Sequence, residues 1–453
     1  MTETTANSPQ IWVDLKGEEE DRKLMSQHDE EGISPLRVLI VRGSFASLGG
    51  AERELLQLMR ATSKKWKVGL ATLEMTEEAE ALLDGAPIQM YQPKTAHIWS
   101  HGALAEIVAR SSRDAQKAWR DIEIPWSEYD AVHLSVCKGT LELLPLIPAQ
   151  LPVHYHCLEP PRWLYEDVLH RRLDGKPKRP LWLTKLLFTR QRRRDRAFVR
   201  QLIQRPKSSI SGNSMWIQRR IKTVYKLSSD PTKENGEPPQ RDERGAPLEA
   251  THLMHVIDLE QWPLEASPEE RDAATKMEAI DGPYVVTIGR ISHVKGTWET
   301  LHSLAGTGLS LVQVGGGDVR DRNALMEEGK RIGVEVHCMP RLPQVALCHL
   351  IRNARAMVSH AHAEPFGLTP IEAMAVGTPA LMVDEGGFQC TMSSVDSGKL
   401  LRRDDAQAWK EAYQSLDDEP LRAQWANTGR TYVEEHFTLP VQIAALERML
   451  TQY

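Results

Sequence analysis

Residues 354–384 read ARAMVSHAHAEPFGLTPIEAMAVGTPALMVD. The opening ARAMVSH is mostly apolar and does not alternate, which suits a strand covered on both faces of a sheet. A helix starts near Leu368, and PALMVD (379–384) returns to a strand pattern. Strand, helix and strand in this order form the repeating unit of a parallel α/β sheet. The stretch between strand end and helix, His360 to Pro379, carries Glu364 just before the helix start and Glu372 about one turn inside it.

The same alternation extends outward. YVVTIGR (284–290), LSLVQVG (309–315) and VEVHCM (334–339) are strand candidates with helices between them. Earlier in the chain, LRVLIVRG (36–43), WKVGLATLE (66–74), PIQMY (87–91), YDAVHLSV (129–136) and LPVHYHCL (151–158) repeat the pattern, with helices near 76–84 and 101–120. The fold class is therefore α/β, with two Rossmann-like doubly wound domains. The expected organisation is an acidic disordered tail (1–34), an N-terminal domain (35–227), a loop or linker (228–262), a C-terminal domain (263–438) and a terminal helix (439–453) crossing back to the N-domain. Residues 162–226 are expected to be helices rich in Arg and Lys, ending at KSSISGN and a helix from Ser214. The linker begins SSDPTKENGEPPQRDERGAP, polar and proline-rich, as surface loops are.

Composition narrows the class. The 453 residues are 41% hydrophobic and 26% charged, which excludes wholesale disorder. No apolar run approaches the ~20 residues of a transmembrane helix, and the polar N-terminus has no secretory h-region. Five scattered cysteines without a CxxC pair argue against a disulfide framework or zinc ribbon and fit a reducing cytoplasm. The net charge of −6 hides unlike parts. Residues 1–34 hold 9 acids and 3 bases, whereas residues 162–226 hold 19 Lys+Arg against 4 Asp+Glu. In that basic segment LWLTKLLF (181–188) precedes QRRRDR (191–196). An apolar patch beside cations suits an anionic membrane surface. A core-packed helix with a solvated face is the alternative, and no nucleic-acid-binding module is present.

Four constellations could carry chemistry. Around Glu364 and Glu372, helix N-terminal N–H groups at Gly367, Leu368 and Thr369 can bind an anion such as phosphate. Gly289-Arg290 to Lys295-Gly296 places two cations five residues apart after a strand, suited to a diphosphate. Gly49-Gly50-Ala51-Glu52 is a glycine pair between strand and helix. Gly315-Gly316-Gly317-Asp318 also follows a strand and reads equally as a turn with an Asp cap. His360 and His362 form a His-x-His pair at a strand end, read as locally satisfied rather than as a metal site.

Together these stretches resemble the retaining glycosyltransferases of family 4, of the GT-B fold. Glu364 to Pro379 follows the pattern E-x-FGL-x-x-x-E-A-M-A-x-G-x-P without a gap, Gly289 to Gly296 follows GR-x-x-x-x-KG, and Gly49 to Glu52 follows GG-A-E. The resemblance implies two domains facing a cleft, acceptor side N-terminal and nucleotide-sugar side C-terminal. It implies that Arg290 and Lys295 hold the donor diphosphate, helped by backbone N–H groups at Leu368 and Thr369. Glu372 would bond the donor ribose, and Glu364 would contact the transferred sugar and stabilise charge at its anomeric centre. Gly49 and Gly50 would approach the phosphate from the N-domain, and Arg341 belongs to the base-contacting loop. His156, before Pro160-Pro161-Arg162, matches a family histidine near the sugar, although it stands four residues before the proline pair. Two departures stand out: Pro340 replaces a base-loop glycine, and Cys390 replaces a glutamate.

The implied activity is a retaining, metal-independent hexosyltransferase without a cofactor. It would move a hexose from a UDP- or GDP-sugar to a glycan or lipid-linked acceptor, in the cytoplasm or peripherally on the inner membrane face. A sugar-nucleotide epimerase or phosphorylase, or a non-catalytic donor-binding subunit, is the alternative on the same scaffold.

Overall fold

The computed structural model describes residues 34–95, 110–227, 250–275 and 280–453. The expected tail, apart from Ser34, and most of the expected linker lie outside the described residues. So does the first half of the helix expected near 101–120, which is described as Arg110–Arg120.

From Arg37 onward the chain builds two sheets. The first contains β1 (Arg37–Val41), β2 (Lys67–Ala71), β3 (Ile88–Tyr91), β4 (Ala131–Ser135), β5 (Val153–His156), β6 (Ser208–Gly212) and β7 (Ala250–His252). The second contains β8 (Tyr284–Ile288), β9 (Ser310–Val314), β10 (Val336–Met339), β11 (Ala356–Ser359), β12 (Ala380–Val383) and β13 (Gly398–Leu401). Their orders are β3-β2-β1-β4-β5-β6-β7 and β10-β9-β8-β11-β12-β13. All recorded strand pairs are parallel. These are two Rossmann-like domains, the GT-B arrangement.

The continuous apolar runs form strands because helices cover both faces. Val38 to Val41 and Ala380 to Val383 are fully buried. Two strands differ from expectation. SSISG, where the reading ended the helical stretch without a strand, is β6, and the 228–262 stretch contributes β7 at the sheet edge. Neither segment is rich in large apolar residues. Their backbones are recruited by the open ladder beside β5, where the register pairs Tyr155↔Ile210 and Ile210↔Ala250 continue the sheet.

Several contacts tie the two lobes. The terminal helix Leu439–Thr451 packs on the N-lobe helix Gly50–Thr62 and on β4 and β5. Its buried Gln442 donates to Glu54 Oε1 (2.6 Å), which also accepts from the Val256 N–H (3.0 Å). Leu173, on a tight turn of the N-lobe, is buried in the C-lobe core. All five cysteines are free thiols. Among the described residues no helix is long and apolar enough to cross a membrane.

Candidate functional site

In the C-lobe the strand order reverses between β8 and β11. Loops leaving the carboxyl ends of two such strands diverge and leave a crevice, where open α/β sheets bind ligands. Lys295 follows β8 and Glu364 follows β11, so the sequence motifs meet there. Lys295 Nζ donates to both Glu364 oxygens, at 3.1 and 2.9 Å.

The loop bearing Glu364 is held from several sides. Arg403 donates to the carbonyls of His360 (2.8 Å) and Ala361 (3.3 Å) while paired through two bonds with Glu385. The Gly387 N–H donates to Glu364 O at 2.6 Å. Ala363 adopts φ 45°, a left-handed conformation that a β-carbon disfavours. The helix Leu368–Ala375 then starts from Gly367, at φ 96°. A β-carbon at Gly367 would lie 2.6 Å from the Phe388 ring. That helix start faces the N-lobe: a β-carbon on Gly50 would stand 3.3 Å from Leu368 Cδ1. Gly49, at the N-terminus of the helix Gly50–Thr62, donates its N–H to Glu52 Oε2 (2.9 Å). The buried Arg42 holds the other oxygen of Glu52.

Glu372, on the same helix, is largely shielded. Burial pushes its carboxyl up to about 7, with Lys295 pulling the other way. A carboxyl whose pKa is higher folded than unfolded binds more protons in the native state between the two values, so its contribution to stability falls as pH rises through that window. The stability of wild type relative to Glu372→Gln is expected to fall between pH 4.5 and about 7, by up to about 3 kcal/mol. Above the window the difference should be constant. Thermal unfolding of both proteins across the window checks this, and a pH-independent difference would contradict it.

Arg290 is exposed and lines a cleft pocket of about 290 Å³ with Arg171, Lys178, His293 and Asp318. Arg341 is exposed just beyond β10, on the same carboxyl edge of the sheet. His156 is buried in the N-lobe among His133, His154 and His255, with ring centroids 6.0, 6.3 and 6.2 Å away. Burial pushes its imidazole down to about 4, so it is neutral at pH 7, and its Nε2 has no hydrogen-bond partner. His154 is satisfied by His133 Nδ1 (3.0 Å) and Ser211 Oγ (2.8 Å). His360 likewise belongs to the core, stacked on Trp409 and bonded to Thr300 Oγ1 at 3.1 Å.

The Pro-Pro-Arg stretch also brings Glu159 and Arg162 to the site. Burial pushes the Glu159 carboxyl up to about 7; Arg162 opposes this, and Glu364 adds to it. Glu159 is therefore within electrostatic reach of the Glu364 pair. Arg162 donates to the C-lobe carbonyl of His362 (2.7 Å), and Ser214 Oγ donates to Pro365 O (2.5 Å). Glu159 and Arg162 stand inside a motif already visible in the sequence; nothing local marks Ser214 beyond its helix-capping position. Cys390 sits on the helix Phe388–Met392, and its thiol contacts the backbone at Met215 and Trp216.

Residues 270–432 match the family model described as "Glycosyl transferases group 1". A D-inositol 3-phosphate glycosyltransferase of Catenulispora acidiphila is 30% identical over 195 residues, 39% of this chain and 46% of the relative. A glycogen synthase of Mycobacterium tuberculosis is 26% identical over 181 residues, 39% of this chain and 42% of the relative. The chain thus spans less than half the length of these curated relatives. Solved structures align over nearly the whole chain. Anabaena HepE in complex with UDP and glucose matches 92% of this chain and 100% of its own, with TM-score 0.60 and 16% identity. Sucrose-phosphate synthase from Thermosynechococcus elongatus matches 92% and 99%, with TM-score 0.64 and 17% identity.

Proposed function

We propose that the chain is a retaining hexosyltransferase that uses a nucleotide sugar. The Lys295–Glu364 pair at the switch point, with Glu372 a turn inside the adjoining helix, carries this reading. A nucleoside diphosphate leaving the sugar gathers negative charge on its phosphate oxygens. Fixed cations and helix N–H groups stabilise that charge without reorganising. Arg290, Lys295 and the backbone of Leu368 and Thr369 supply them, and this work falls to the protein rather than to a cofactor or metal. The bond from the anomeric carbon to phosphate oxygen breaks, the bond to the acceptor oxygen forms on the same face, and the acceptor proton passes to the leaving phosphate. Glu364 faces the sugar, and Glu372 bonds the ribose. The donor is a UDP- or GDP-sugar, and the similarity to a protein solved in complex with UDP and glucose supports the UDP form.

A thermal-shift series over UDP-, GDP- and ADP-sugars tests the donor. A donor at 100 times its Kd should stabilise the protein by about 2.7 kcal/mol. No shift with any of them would overturn the reading. The burial of His156 favours a second reading, a donor-binding subunit that does not turn over. A shift without release of nucleoside diphosphate, whatever glycan or lipid-linked acceptor is offered, would select it.

The acceptor side carries the basic segment. Trp182 and Leu186, on the helix Leu181–Leu187, are 68% and 64% exposed beside Lys185 and near Arg190. We place an anionic bilayer surface against this face, with a lipid-linked acceptor. Vesicles containing phosphatidylglycerol should co-sediment the protein, and a Trp182→Glu/Leu186→Glu variant should stay in the supernatant. Equal sedimentation of the two would remove the membrane from the proposal.

A further inference from the structure

Three side chains beside the Lys295–Glu364 pair are used by nothing described above. His293 lies two residues before Lys295, His362 two residues before Glu364, and Glu299 on the helix Thr297–Ser303 that follows Gly296. One potential metal-ligand atom from each comes within 4.8 Å of those of the other two. His362 Nε2 is 2.9 Å from Glu299 Oε1, and His293 Nδ1 is 3.6 Å from the same oxygen. Ligand atoms around a tetrahedral zinc ion with bonds of about 2.0–2.1 Å stand about 3.3 Å apart, so the two observed separations bracket that spacing.

The remaining polar atoms give a second, independent indication. His293 Nδ1 and Glu299 Oε2 are shielded from solvent and have no hydrogen-bond partner. Buried polar atoms are normally paired, so two orphaned atoms within one cluster call for a ligand. The backbone already fixes the geometry. The His362 N–H donates to Val294 O at 2.9 Å, joining the two loops next to the candidate ligands. The left-handed turn at Ala363 sends the His362 side chain to Glu299 while Glu364 pairs with Lys295.

We propose that His293, Glu299 and His362 form a divalent transition-metal site of zinc chemistry that clamps the Lys295 loop to the Glu364 loop. Two imidazoles and a carboxylate are borderline donors that suit zinc better than magnesium or calcium. The fourth position is left for water. The ion has a positioning role: it holds the residues flanking Lys295 and Glu364 at a fixed separation, and it takes no part in sugar transfer. The other charges facing the cluster are Arg171, and Arg403 with its partner Glu385. Glu385 neutralises Arg403, whereas Arg171 opposes a bound cation. The site is therefore expected to exchange its metal with a chelator rather than to retain it permanently.

Calorimetric titration of tag-free, chelator-stripped full-length protein with zinc chloride tests the site, with thermal unfolding as a second readout. One zinc per chain should bind, with a rise in the unfolding temperature. His362→Ala and His293→Ala should each weaken binding by at least about tenfold, the scale on which altered ligand shells act. Glu299→Gln keeps the shape of the hydrogen-bonded pair and should weaken zinc without unfolding the chain, so it stands in if a histidine variant fails to fold. His302→Ala, on the exposed side of the same helix, should bind as wild type does. Absence of a one-equivalent event in wild type, or equal zinc affinity in Glu299→Gln and wild type, would overturn the proposal. Neither readout depends on sugar transfer, so failure here leaves the functional reading intact and failure of that reading leaves the site intact.

Discussion

Glu364→Gln is expected to lower sugar transfer by about 10²–10³-fold, the usual effect of removing one preorganised electrostatic group from a reacting centre. The glutamine keeps the shape of the side chain and can still accept a hydrogen bond from Lys295, so the local structure should survive. It loses the negative charge that opposes positive charge building at the anomeric carbon. That charge develops only in the transition state, so the loss should appear mainly in kcat, with donor affinity changed little. The measurement is the transfer rate at saturating donor, using the donor found by thermal shift, beside the midpoint of unfolding. An unchanged kcat would remove Glu364 from the reacting centre. A large rise in KM with kcat intact would make it a donor-binding group alone.

Much of this arrangement is legible in the sequence, and the illegible parts have physical reasons. Continuous apolar runs such as LRVLIV and ALMV mark strands because a parallel sheet buries both faces. SSISG and ATH lack that mark; they are strands because β5 offers an edge to the first and the first in turn offers one to the second, a tertiary cause that no local pattern encodes. The motif residues Glu364 and Lys295 are visible by spacing, but their mutual bond joins positions 69 apart and depends on the strand order β8-β11. The bridges from Arg162 to His362 and from Ser214 to Pro365 span 200 and 151 residues and are set by how the lobes meet. His156 is a different case. Alternation along β5 sends His154 and His156 to the same face, and a parallel strand covered on both sides buries that face. The strand reading itself thus contains the reason its imidazole lies among other histidines, whereas Glu159, beyond the strand end, is free to turn toward Glu364.

Lys295→Met should cost transfer as much as Glu364→Gln, and the two changes together should cost less than their sum. The methionine retains the apolar stem, which packs on Gly289: a β-carbon there, at φ 142°, would stand 3.3 Å from Lys295 Cγ and Cδ. What disappears is a cation that serves both states of the reaction. It binds the donor diphosphate in the ground state and the fuller charge of the departing diphosphate later, so KM should rise and kcat fall together. The single variant also leaves Glu364, with only 17% of its side chain exposed, without its cationic partner. A largely buried carboxylate stripped of its partner destabilises the fold. Adding Glu364→Gln removes that stranded charge, so the double variant should recover stability relative to Lys295→Met. The coupling between contacting charged groups is commonly about 0.5–3 kcal/mol. Unfolding free energies and kcat/KM for wild type, both single variants and the double variant complete the cycle. Additivity within about 0.3–0.5 kcal/mol in both quantities would mean that the bond between Lys295 and Glu364 has no energetic weight, and that the two residues reach the donor independently.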